Sequence, residues 1–113
     1  MRVLIVDPAA VGDQPILGRL RILGHETELA HSHESGIALA RSFLPDVVAL
    51  RTGRSASGLG DLAQALKSGP SRPTVVCLGE YVQCEDIDFW LFDDNDFIEL
   101  LPMLEGGSAA TSG

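Results

Sequence analysis

The chain has 113 residues, 45% of them hydrophobic but only 5% aromatic, which fits a single domain whose core is built from Leu, Val, Ile and Ala. Its formal net charge of −8 is unevenly placed: residues 1–72 hold all eight Lys and Arg against seven acids, and residues 73–113 hold nine acids and no base. Such a field repels nucleic acid and anionic membrane from the C-terminal part, and suits a basic protein partner or simply keeps the chain soluble. The first 23 residues contain no apolar run of signal-peptide length, and no stretch approaches the roughly 20 apolar residues of a membrane span, so a cytoplasmic protein is expected. Cys77 sits in an apolar run and Cys84 in a polar one, without metal-like spacing, which predicts two free thiols.

Residues 2–7, Arg-Val-Leu-Ile-Val-Asp, form a near-continuous apolar run closed by an acid, as in a central parallel strand buried on both faces. Ile16, Leu17, Leu20 and Leu23 recur at helical spacing over residues 16–23, with Asp13 as a cap, Pro15 in the first turn and Gly24 as terminator. A shorter, more polar edge strand follows at 26–30. Ser32 or Ser35 then opens a helix that runs to Phe43 and is stopped by Pro45.

The third strand, 46–50, delivers Arg51 at its C-terminal end. A loop rich in Gly and Ser over 52–58 leads into a helix at 59–68, ended by Gly69-Pro70. Residues 74–78 predict a fourth buried strand and 89–92 a fifth apolar run. Asp94 or Asn95 caps a last helix through Leu104, in which Pro102 kinks or ends the helix. Strands alternating with helices imply right-handed crossovers and a parallel sheet covered on both faces.

This order resembles the CheY-like receiver domain of bacterial response regulators. The stretches that carry the likeness are Val3-Leu4-Ile5-Val6-Asp7, Leu23-Gly24-His25-Glu26-Thr27, Ser35-Gly36-Ile37-Ala38-Leu39-Ala40 and Pro45-Asp46-Val47-Val48-Ala49-Leu50. The resemblance covers residues 2–105 and leaves 106–113 as a flexible tail or linker. It implies an α/β, flavodoxin-like three-layer sandwich with a five-stranded parallel sheet of order 2-1-3-4-5. Only nine residues, 79–87, separate Leu78 from Asp88, too few for a mean helix of about 11, so the pattern's fourth helix is expected to be shortened or missing.

Receivers move a phosphoryl group from a partner kinase onto an aspartate. The resemblance implies two acids after strand 1 that hold Mg²⁺, the acceptor after strand 3, a hydroxyl after strand 4 and a lysine after strand 5. In this chain those positions hold Asp7, Pro8, Arg51, Gly79 and Asp93. Only Asp7 matches. Because an anion became Arg51 and a cation became Asp93, Arg51 is expected to pair with Asp7, Asp93 or both, the alternative being an arginine turned to solvent beside Thr52 and Arg54.

The implied function is a non-catalytic pseudo-receiver without metal or cofactor, acting through protein contacts independent of phosphorylation. Its expected partner is a kinase, a regulator or a linked effector domain, with a second copy of the chain as a further candidate and no direct binding of nucleic acid or membrane. The candidate surface is acidic and aromatic: Tyr81, Glu85, Asp86, Asp88, Trp90, Asp94 and Asp96, together with Phe92. Its aromatics either form an exposed patch or fill the space of the lost helix. Competing readings are a receiver phosphorylated at another acid and a small-ligand sensor. His31-Ser32-His33-Glu34 reads as a helix cap rather than a metal site, and the glycines at 53, 58 and 60 as turns rather than a phosphate loop. Asp13 to Gly18 resembles part of a cobalamin-binding signature, but Pro15 stands at its essential histidine.

Overall fold

The structure, a computed structural model, describes residues 1–8, 15–51, 58–70, 72–79 and 83–112, with side chains described only to Leu104. The proposed Asp13 cap, the loop 52–57 with Thr52, Gly53 and Arg54, and Glu80 and Tyr81 lie outside the described residues.

Among the described residues nine elements follow in chain order: β1 (Arg2–Val6), α1 (Pro15–Ile22), β2 (Glu26–Ala30), α2 (His33–Phe43), β3 (Val47–Arg51), α3 (Leu59–Lys67), β4 (Thr74–Leu78), β5 (Phe89–Leu91) and α4 (Asp94–Ser112). All strand pairings are parallel, in the order β2-β1-β3-β4-β5. The architecture is the α/β three-layer sandwich expected. Val6 pairs with Leu50 and Arg51 with Leu78, so the C-terminal ends of β1, β3 and β4 lie side by side.

Local signals account for most boundaries. Ser32 caps α2 through a reciprocal pair of bonds: its hydroxyl accepts from the Ser35 N–H, and the Ser35 hydroxyl accepts from the Ser32 N–H. Gly24, at φ +93°, turns the chain out of α1, and its N–H donates to the Arg21 carbonyl. Gly36 lets α2 lie close on β1. A Cβ there would stand 2.9 Å from a Val6 methyl.

The sheet buries two cores. On one face Ile16 and Leu20 of α1 meet Phe97, Leu100 and Leu101 of α4 over Val3, Ile5, Val47, Ala49, Val76 and Leu78. On the other, α2 and α3 pack over Leu4, Val6, Val48, Leu50, Val75 and Cys77. Among the described residues that second face carries no third helix. Among the described residues between β4 and β5 there is only a turn at 85–86, and Ile87 and the half-buried Cys84 pack into the core where a helix would lie.

One expectation is corrected and one open alternative is decided. The last helix does not end near Leu104 but runs through Pro102 to Ser112. A proline removes one backbone donor and crowds the carbonyl four residues back, yet Pro102 is exposed and Phe97, Leu100 and Leu101 anchor the turns before it. The strand aromatics do not fill the vacated space. Phe89 and Trp90 are over a third exposed and Phe92 lies almost wholly in solvent, because Cys84 and Ile87 already close the core.

Candidate functional site

Arg51 ends β3 and points into the crevice above the strand ends. Its side chain is 25% exposed and lies between two carboxylates. From β1, Asp7 brings Oδ2 to 3.5 Å from the buried Nε, an ion-pair distance; its side chain is 10% exposed. From the first turn of α4, Asp94 Oδ1 accepts a hydrogen bond from Nη2. The Asp7 N–H donates to the Ala30 carbonyl at 2.9 Å, which ties the Asp7 backbone to the end of β2.

Pairing therefore involves Asp94, not the expected Asp93. Asp93 serves as the helix cap: its Oδ1 accepts from the Asp96 N–H at 2.9 Å, and its carbonyl accepts from the Phe97 N–H. Helical side chains lean toward the helix N-terminus, and that lean carries Asp94 back over the strand ends. Gly79, at φ +121°, follows β4 with no side chain to offer, and its N–H donates to the Leu91 carbonyl. Pro8 is exposed. An open cavity of about 320 Å³ adjoins the pair, lined by Arg19, Arg51, Phe92, Asp93, Asp94 and Asn95.

The members of the acidic segment do not form one surface. Asp88 is engaged internally: its Oδ2 accepts from Lys67 Nζ and from the Val75 N–H, stitching the entry of β5 to α3 and β4. Asp94 belongs to the crevice. Glu85 is exposed, and Trp90 and Phe92 expose apolar surface. Asp86 and Asp96 are half-buried. Arg51 was expected to pair internally, and its contact with Asp7 is as expected; Asp94 as its second partner and Lys67 as the partner of Asp88 were not legible in the sequence, since neither spacing nor composition marks a contact across 43 or 21 residues.

No model of a known family matches the sequence, and no curated protein does. Solved structures do. A receiver domain protein (CheY-like) from Methanospirillum hungatei superposes with a TM-score of 0.71 at 17% identity, over 99% of this chain and 98% of that one. The N-terminal domain of a response regulator/sensory box/GGDEF protein from Carboxydothermus hydrogenoformans gives 0.74 at 20% identity, over all of both chains. The chemotaxis protein CheY4 of Vibrio cholerae gives 0.73 at 18%, over 90% and 96%.

The chain has the CheY-like receiver fold. The five residues that the sequence resemblance singled out lie as follows: Asp7, Pro8 and Arg51 at the ends of β1 and β3, Gly79 at the end of β4, and Asp93 beyond β5. The Mg²⁺ of the receiver pattern does not fit them. Pro8 has no ligand atom, and Asp7 faces a guanidinium at 3.5 Å where a cation would stand. Among the described residues no group of three His, Cys, Asp or Glu side chains clusters to hold a metal, and Ser32 caps α2 within the His31 to Glu34 stretch. No helix among the described residues is long and apolar enough to cross a membrane. Cys77 is buried and Cys84 half-buried, both as free thiols, and burial pushes the Cys77 thiol up from its ordinary pKa.

Proposed function

We propose that this chain is a pseudo-receiver, a non-enzymatic cytoplasmic signalling module that works by protein contact without phosphorylation at the usual site. The observation that carries this reading is that Arg51, at the end of β3 where the resemblance puts the acceptor, is held by Asp7 and Asp94. The guanidinium supplies in a permanent form the positive charge that a metal would bring, so the crevice is neutralised without a ligand. A phosphoryl group arriving there would have to displace one carboxylate and would find no acceptor oxygen at Arg51.

The information then lies on the surface. Glu85 and Asp86 precede β5, Trp90 is exposed on it, and Phe92 and Asp96 follow it; the segment is acidic and apolar, and a basic protein segment is the partner its charge favours. A kinase, a regulator or a linked effector domain fits that role equally in chemistry. Charge reversal of Asp86 and Asp96 tests the surface, whereas reversal of Asp88 or Asp94 would break Lys67 or Arg51 contacts at the same time.

The decisive experiment is incubation with a small phosphodonor and Mg²⁺ followed by intact mass. No stoichiometric adduct is expected; an adduct of one phosphoryl group would overturn the reading in favour of a receiver using another acid. The cavity beside Arg51 favours one second reading, a small-ligand sensor. That reading requires some anionic or zwitterionic metabolite to raise the melting temperature of the protein and to lose this effect in Arg51→Ala.

A further inference from the structure

The cavity beside Arg51 is lined by charges of both signs, and the fold does not pair them all. Arg19 comes from α1, Arg51 from the end of β3, Phe92 and Asp93 from the passage between β5 and α4, and Asp94 and Asn95 from the first turn of α4. Asp94 is engaged by Arg51. Arg19 and Asp93 line the same cavity, yet among the described residues neither stands at ion-pair distance from an opposite charge.

Both keep hydrogen-bonding capacity. Arg19 donates from Nη1 to Asn95 Oδ1 at 2.7 Å, which steadies the guanidinium and leaves the rest of its planar fork of donors for another acceptor. Asp93 accepts from the Asp96 N–H through Oδ1, which leaves Oδ2. A ligand of one sign does not suit this lining. An anion drawn to Arg19 meets the carboxylates of Asp93 and Asp94, and a cation drawn to those carboxylates meets two guanidiniums. A molecule with an ammonium and a carboxylate a few bonds apart answers both. The volume of about 320 Å³ is at the lower end for ligand cavities, so the molecule is small. The fold also leaves one lining side chain without cover: Phe92 is 87% exposed. An apolar group laid against that ring would take surface of both partners out of water.

We propose that this cavity binds a free α-amino acid with an apolar or aromatic side chain. Its carboxylate lies on the Arg19 guanidinium in bidentate geometry, its ammonium on Asp93 Oδ2, and its side chain against Phe92. Arg51 makes no contact with the ligand and acts by holding Asp94 in the wall. The inference deepens the small-ligand reading and rests on it. Because the cavity is open and the ligand has few atoms, Kd is on the order of 0.1–1 mM.

The test is calorimetric titration and thermal melting of the 113-residue chain with L-phenylalanine and L-leucine up to about 20 mM, beside two analogues of one charge each, phenethylamine and 3-phenylpropionate. L-phenylalanine is expected to bind and to raise the melting temperature, and each analogue to bind about tenfold more weakly or worse. Arg19→Gln and Asp93→Asn should each weaken binding about fivefold or more. Asparagine still accepts the Asp96 N–H, so the cap of α4 survives the second change. Failure of both amino acids to bind at the highest concentration would overturn the proposal, as would binding that persists in both variants. Equal binding of 3-phenylpropionate and L-phenylalanine would overturn it too; if that binding is lost in Arg51→Ala, a sensor of anions stands while the amino-acid site falls.

Discussion

The two faces of the sheet solve the same covering problem differently. On one, two full helices, α1 and α4, meet over the core, and the large Phe97 is wholly enclosed between them. On the other, α2 and α3 cover the first strands, while the region toward β5 is closed by two side chains of an irregular connection, Ile87 and Cys84. Buried apolar area, not helix content, is what a sheet face requires. A connection of a few residues can meet that requirement, but it leaves β5 narrow, its aromatics in solvent, and its entry dependent on Asp88.

The largest expected effect comes from breaking the regular face. Phe97→Ala removes a ring that nothing can replace and should cost about 3–5 kcal/mol, whereas Ile87→Ala should cost closer to about 2 kcal/mol because the short connection can settle into the gap. Denaturant melts of the two variants measure the difference. Equal losses would show that the irregular connection packs as rigidly as a helix.

Arg51 joins the sheet to α4 and belongs to neither core. Arg51→Ala should cost about 1–3 kcal/mol, between the loss for an exposed pair and that for a buried one, since it leaves the nearly buried Asp7 facing Asp94 without a cation. A double-mutant cycle sharpens the assignment. Arg51→Ala and Asp94→Ala should be coupled by roughly 1 kcal/mol, and Arg51→Ala and Asp93→Ala should be additive, because Asp93 acts through the helix cap. Coupling to Asp93 in place of Asp94 would refute the geometry of the crevice.

The smallest effect concerns the thiols of the irregular face. Cys84 should react with a disulfide reagent in the native protein and the buried Cys77 only after unfolding, giving one thiol per chain and then two. Burial holds the Cys77 pKa above its unfolded value, so its contribution to stability is intact below the unfolded pKa and is lost as the pH rises through the folded one. Melting temperatures should therefore fall on the alkaline side, and the fall should flatten in Cys77→Ala. Two equally fast native thiols would mean that the connection opens readily.

Much of the fold was legible in advance, for a local reason. The strand at 26–30 and the strand at 74–78 coincide with β2 and β4 because alternation or continuity of apolar residues is set within the segment itself. Ser32 as the cap of α2 and Gly24 as the exit from α1 follow from bonds to residues two to four positions away. The alternation of strands and helices then leaves few topologies, and Arg51 at a strand end and the missing helix follow by counting. What counting did not reach was direction. One residue along a helix turns a side chain by about 100°, so Asp93 and Asp94 differ by one position in sequence but do different work, one capping α4 and the other holding Arg51. Likewise, whether Trp90 and Phe92 faced core or solvent depended on what else filled the space beside α3, and whether Pro102 ended α4 depended on the anchoring of the turns before it. The sequence by itself determined the elements, their order and the charge placed at the end of β3, because those are written in local patterns. Only the tertiary structure decided which carboxylates that charge meets and which apolar side chains stay outside, because both depend on packing between segments distant in the chain.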